Sequence, residues 1–227
     1  MKVFQTDLQQ VKNTLRGGVL LVLSGLYLSE ISGVFFLFAT QKFHFSSRKI
    51  TGTTYAVSLF IICSLRYLSL YYYQKWIKEK GVYRINFSIN IISIFFFLAT
   101  FLFAALWNGK VIFPPLFVKE YIHFFKKFGI FWGGISSFLQ TVYYILEGFL
   151  IVYIIDSFQT AGETLILSRF PWGVFALVLF WGSIHFLKGT STGIYGLILA
   201  SLLGLFYLAD KRNGLTVLIS WLISLTV

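Results

Sequence analysis

Residues 129–155 read GIFWGGISSFLQTVYYILEGFLIVYII, with Glu147 as the single charged side chain in the run. A helix of about 20 apolar residues crosses the ~30 Å hydrocarbon core of a bilayer. The run is longer than one crossing requires, so it is expected to tilt or to break near Glu147-Gly148. Six more apolar runs flank it, at 17–40, 52–73, 86–107, 171–187, 191–208 and 214–227, the last of them short.

Composition carries the same conclusion to the whole chain. Of 227 residues, 57% are hydrophobic, 20% aromatic and 12% charged, and mean hydropathy is +0.79. A soluble domain is about 25% charged, and half that share cannot cover a globule of this size. The expected fold is all-α: a polytopic transmembrane helix bundle of about seven spans, within a range of six to eight, forming one membrane domain over 1–227. Disorder, a disulfide scaffold and a nucleic-acid-binding domain are excluded. The polar opening MKVFQTDLQQVKNTLRGG leads to no small-residue cleavage site, so the first helix is expected to stay rather than to be removed as a signal peptide.

The net charge of +11 comes from cations clustered between the runs: Lys2, Lys12 and Arg16; Lys42, Arg48 and Lys49; Lys75, Lys78, Lys80 and Arg84; Lys110, Lys119, Lys126 and Lys127. Loop cations beside apolar spans meet anionic headgroups. The lipid bilayer is therefore the expected partner, and nucleic acid is not. Lys and Arg divide almost evenly between the two sides, so they set no orientation. Between the third and fourth runs, Pro114-Pro115 forbids a helix. The stretch after it sets Phe117, Tyr121, Phe124, Phe125 and Phe128 against Lys119, Glu120, Lys126 and Lys127, the pattern of an amphipathic helix lying at the interface.

Ionisable groups inside spans are expensive and are functional candidates. There are four: Glu30, Arg66, Glu147 and His185. Glu30 and Arg66 lie near the middle of neighbouring spans joined by a short loop, and an antiparallel hairpin brings them to one depth as a structural ion pair. His44 and His123 read as interfacial residues, which leaves too poor a ligand set for zinc. No metal and no cofactor is expected. The lone Cys63 reads as a small buried hydrophobe; as a nucleophile it would need a base that its helix and hairpin partner lack.

From Val142 onward the order of features carries more. LEGFLI (Leu146–Ile151) is followed by WGSIH (Trp181–His185), then a helix with Gly196, Ala200 and Gly204 at four-residue spacing, then the turn ADKRNGL, then SWLIS (Ser220–Ser224). Small residues at that spacing let helices approach closely in lipid. Taken together, these features resemble the C-terminal core of the CAAX-protease and bacteriocin-processing (CPBP, or Abi) family of intramembrane proteases. The motifs of that family run EExxxR, FxxxH, a glycine-rich helix and HxxxN. The resemblance divides the chain into N-terminal helices over 1–141 and a protease-like core over 142–227.

The resemblance implies a glutamate and a histidine that activate water, here Glu147 and His185. Several other positions depart from the pattern. Leu146 stands for the first glutamate, Ile151 for the arginine and Trp181 for the phenylalanine, while Ser220 and Ser224 replace the last histidine and asparagine. A rival alignment places the first motif on Glu163 and Arg169, but its spacing is too long. Glu163 then reads as a solvated loop residue or a helix cap. Ser220 and Ser224 share one helix face and are oxyanion candidates; serines so spaced also bond back to helix carbonyls. Loss of an oxyanion donor costs about 10²–10³ in rate.

Two functions follow from the resemblance, both in the cytoplasmic membrane of a bacterium. The first is an inactive relative that binds a membrane protein or peptide, in bacteriocin immunity or cell-envelope control. The second is an active intramembrane endopeptidase using Glu147 and His185. Outside the family, a small transporter or channel would place Glu30, Arg66 and Glu147 on its path, but no inverted repeat is present.

Overall fold

The protein is described by a computed structural model over residues 2–43, 51–82, 85–107, 116–166 and 170–225. His44, Pro114-Pro115 and Arg169 lie outside the described residues. The helices are α1 (Lys2–Leu21), α2 (Ser29–Phe43), α3 (Gly52–Lys80), α4 (Ile91–Trp107), α5 (Leu116–Leu165), α6 (Trp172–Leu177), α7 (Thr190–Ala209) and α8 (Gly214–Ser224). A π-helical stretch, Val22–Leu28, joins α1 to α2 without a break. A second, Val178–Gly182, continues α6 into the 3₁₀ stretch Ser183–Lys188.

Each of the seven apolar runs thus contains helix among the described residues. Four of the helices are long and apolar enough to cross a membrane: Leu8–Phe38, Gly52–Lys80, Glu120–Leu165 and Thr190–Ala209. Ile91–Trp107, Trp172–Leu187 and Gly214–Ser224 are apolar but shorter. Large side chains face outward along them, Leu106 at 81% and Leu187 at 86% exposure. A surface of that kind is costly in water and ordinary against lipid tails.

The middle of α5 is the axis of the bundle. Every residue from Leu150 to Ser157 is buried, with Leu150, Ile151, Val152, Ile154 and Ile155 fully enclosed, and α5 packs against α1, α3, α6 and α8. The division at 141/142 falls inside this helix. No break occurs at Glu147-Gly148. Gly148 instead makes room for α8, since a Cβ there would lie 2.4 Å from Leu218 and 2.8 Å from Trp221.

The break lies at Gly129, with φ 76° and ψ 178°, a region essentially reserved for glycine. It turns residues 116–128 back along the rest of α5. Tyr144 donates to Glu120 at 2.8 Å, and Phe124 and Phe128 pack on Tyr55 of α3 at 5.2 and 5.5 Å. The inward stripe is therefore Glu120, Phe124 and Phe128, not the all-aromatic face of the expected amphipathic helix. Glu120 turns in toward the Tyr144 hydroxyl, while Tyr121 is exposed.

At one end of the bundle, the α7–α8 turn explains why the third helix starts late. The run expected from 86 begins as helix only at Ile91, because the backbone before it pairs with the turn. Asn86 N–H donates to the Arg212 carbonyl at 3.0 Å, and the Asn86 carbonyl accepts from Gly214 N–H at 2.8 Å. Lys211 and Arg212 take positive φ, and Asn213 caps α8 by accepting from Leu215 and Thr216 N–H. Asp210 beneath them is 2% exposed and accepts from Asn90 at 2.7 Å, Ser93 at 2.8 Å, Asn213 at 2.9 Å and Thr216 at 2.5 Å.

Burial pushes the Asp210 carboxyl up, but the hydrogen bonds from Thr216, Asn90, Ser93 and Asn213 outweigh it and hold the group below its ordinary 3.8. With the folded value below the unfolded one, its stabilisation is complete above about pH 4 and fades as pH falls through the folded value. Thermal unfolding in detergent should show the wild type losing stability as pH falls below about 4, with Asp210→Asn losing less. Asp210→Ala strands four donors and is expected to lower stability by about 1–3 kcal/mol at neutral pH. Gly129→Ala, forced into its positive φ, should lower it by about 1–3 kcal/mol in the same assay.

Candidate functional site

Arg66 sits in the middle of α3 on the face that also carries Leu59, Ile62, Cys63 and Leu70, all buried. The face meets α5, and the side chain of Arg66 is 1% exposed. An antiparallel α2–α3 pair brings Glu30 to it. Gly33 lets the helices close, since a Cβ there would lie 2.4 Å from Ile62, and Ser58 donates to the Gly33 carbonyl at 3.0 Å. Arg66 Nη2 then lies 2.5 Å from Glu30 Oε1.

The pair is not isolated. Arg66 Nη1 lies 3.5 Å from Glu147 Oε2 and donates to the Tyr143 carbonyl at 3.4 Å, and its Cζ stands 3.9 Å over the Tyr143 ring. The Tyr143 hydroxyl donates to Glu30 Oε1 at 2.7 Å. Tyr143 and Glu147 are one turn apart on α5, so a single helix face supplies both. On the far side, the Trp181 indole N–H donates to Glu147 Oε1 at 2.9 Å. One guanidinium therefore faces two carboxylates, and both oxygens of Glu147 are engaged. Arg66 Nε is buried with no partner among the described residues.

His185 packs beside Trp181. The two rings are 4.5 Å apart, and His185 Nδ1 lies 2.9 Å from the Trp181 carbonyl. A carbonyl only accepts, so Nδ1 carries a proton. The π-helical stretch sets Trp181 in place and is itself tied across the bundle, since Tyr27 in the other π-helical stretch donates to the Phe180 carbonyl at 3.1 Å. The predicted small face of α7 packs here: Gly196 against His185 and the Gly182 carbonyl, Ala200 against Gly182, Gly204 against Val174.

The two serines of the last motif are both buried but serve different neighbours. Ser224 donates back to the Trp221 carbonyl at 2.6 Å. Ser220 has no partner among the described residues. The Thr216 hydroxyl, one turn earlier, lies 2.9 Å from the Ser93 hydroxyl of α4, whereas Trp221 reaches the Tyr144 carbonyl of α5 at 3.0 Å. That register sets Ser220 toward α4 and Trp221 toward the Glu147 helix.

Glu163 is neither a loop residue nor a cap. It lies in α5 and is ion-paired with Arg212, which also bonds Thr160 at 2.9 Å and lies 3.6 Å from Asp156. Tyr207 donates to Asp156 at 2.7 Å. This second network was missed in the sequence because Asp156 falls one residue beyond the apolar run. His123 is exposed beside Phe124, and Cys63 is buried with its thiol 3.5 Å from the Leu139 carbonyl. Among the described residues, no group of three or more His, Cys, Asp or Glu is placed to hold a metal ion.

Fold and site define an all-helical bundle with membrane-length apolar helices closed around a buried guanidinium. No protein-family model, curated protein or solved structure matches the chain.

Removing one partner from a buried ion cluster leaves an uncompensated charge and costs about 3–5 kcal/mol, whereas neutralising all partners is far milder. Arg66→Met should therefore lower membrane abundance and thermal stability strongly. Arg66→Met combined with Glu30→Gln and Glu147→Gln should recover most of both. A simple exchange of Glu30 and Arg66 should not rescue folding, because it sets a new carboxylate beside Glu147.

Proposed function

We propose that this chain is a non-catalytic, multi-pass protein of a bacterial cytoplasmic membrane, similar to the CPBP intramembrane proteases and acting by binding a membrane protein or peptide. Bacteriocin immunity and control of a cell-envelope enzyme are the roles this fits. The observation that carries the proposal is the engagement of Glu147. A general base must be reachable by the water it deprotonates, and here Glu147 is buried, its Oε1 accepting from the Trp181 indole and its Oε2 facing Arg66 at 3.5 Å. The indole belongs to the residue that stands where the family motif has phenylalanine.

Three further positions support the same reading. Ile151, in place of the motif arginine, is fully buried as a core residue. Ser224 is bonded back to its own helix, and Ser220 is set toward α4. A site lacking a free base and both oxyanion donors can still hold a partner. The endopeptidase reading rests on His185 and Glu147 packing on the same indole.

The test uses cells whose growth under a bacteriocin or envelope stress depends on the protein. His185→Ala, at wild-type membrane abundance, is expected to retain function. An acid–base group in an enzyme contributes roughly 10²–10⁴-fold, so loss of function at normal abundance overturns the binding reading in favour of the endopeptidase.

A further inference from the structure

A lateral groove of about 270 Å³ runs between α1, the C-terminal part of α5 and α6. Its floor consists of small residues, Ala161, Gly162 and Ala176, with the Trp172 ring packed directly over Gly162, and its walls of aromatics, chiefly Phe158, Trp172 and Phe180. The groove is shaped by that contrast in size, because the floor lacks the bulk that fills the same layer elsewhere around α5. Ile166, Phe175 and Leu179 on its rim are about half exposed, so it opens sideways, toward the surroundings of the bundle. The lining is almost entirely apolar, which suits a hydrocarbon chain and not a polar metabolite.

The chemistry changes at one end. Leu15 lines the groove, and Lys12 and Arg16, one turn apart, flank it on the exposed side of α1. Neither cation has an ion pair or hydrogen bond among the described residues. Glu163, beside the floor residue Gly162, is held by Arg212. The cations lie at the end of the bundle where Asn13 of α1 donates to the Lys80 carbonyl at the C-terminus of α3. Both sit in the first turns of the apolar stretch Leu8–Phe38, the depth of the headgroups when that helix spans. On the groove wall, the indole N–H of Trp172 is buried with no acceptor among the described residues.

We propose that this groove binds one anionic phospholipid, its acyl chain along Ala161 and Ala176 and its phosphate against Lys12 and Arg16. An apolar slot alone takes any lipid; the two unpaired cations at its mouth select for negative charge. The site is separate from the Glu147 cluster and does not depend on the binding reading of that cluster.

Native mass spectrometry of the purified full chain in detergent, with equal amounts of phosphatidylglycerol and phosphatidylcholine added, tests the assignment. Phosphatidylglycerol is expected to be retained in preference. Lys12→Gln and Arg16→Gln should each reduce that preference about fivefold, and together should abolish it. Ala176→Leu, which fills the floor, should lower retention of both lipids. Leu179→Trp at the exposed rim does the same should Ala176→Leu fail to fold. Equal retention of the two lipids overturns the proposal, as does a preference that survives loss of both cations. A dimeric mass without lipid also overturns it, and gives the groove to a second copy of the chain.

Discussion

A guanidinium at mid-depth in an apolar bundle constrains everything packed around it. Placing arginine at the centre of a membrane helix costs about 2.5–3.5 kcal/mol on insertion scales, and the penalty is offset only where carboxylates and acceptors surround it. Arg66 gathers Glu30 from α2, Glu147 and the Tyr143 carbonyl from α5, and the Tyr143 ring across its face. Three helices are held at one depth and one rotation by that requirement. The close approach at Gly33 and the Ser58 hydrogen bond to its carbonyl follow from it. Such a cluster adds less to net stability than its contacts suggest, and more to the choice of a single register.

The same cluster bears on chemistry. Glu147 is the second counterion of a structural arginine. Trp181, within the π-helical Val178–Gly182 stretch, completes the closure by donating its indole N–H to Glu147. Irregular helix of this kind tends to mark functional sites. Here it joins two π-helical stretches through Tyr27 and Phe180. The buried Ile151 fits the same picture, because Arg66 brings a guanidinium to Glu147 from another helix, while the core of α5 stays apolar.

Much of the fold was legible in the chain. The apolar runs mark the helices because the length needed to cross hydrocarbon is set by the rise of the helix, a local quantity. The Glu30–Arg66 pairing was legible too, since two opposite charges in adjacent spans joined by a short loop have few other partners at that depth. Boundaries were less so. The late start of α4 depends on Asn86 pairing with a turn more than a hundred residues away, and the bend in α5 depends on a single backbone angle at Gly129, which glycine permits but does not announce. Asp156 and Arg212 escaped notice because each lies just outside an apolar run, where a charge needs no explanation until burial is known.

The amino-acid sequence alone determined that this is an all-helical chain with an apolar surface, that its cations lie between the runs, and that Glu147 and His185 are its conspicuous polar residues near the end. These follow from composition and from period, which do not depend on what the helices touch. Only the tertiary structure decided that Glu147 answers to Arg66 and Trp181, that Glu163 belongs to Arg212, and that Ser220 is set toward α4. Each is a question of which partner a buried polar group meets. A buried group must find a partner whatever the sequence spacing, and several were available along the chain. The packing of helices distant in sequence selects among them.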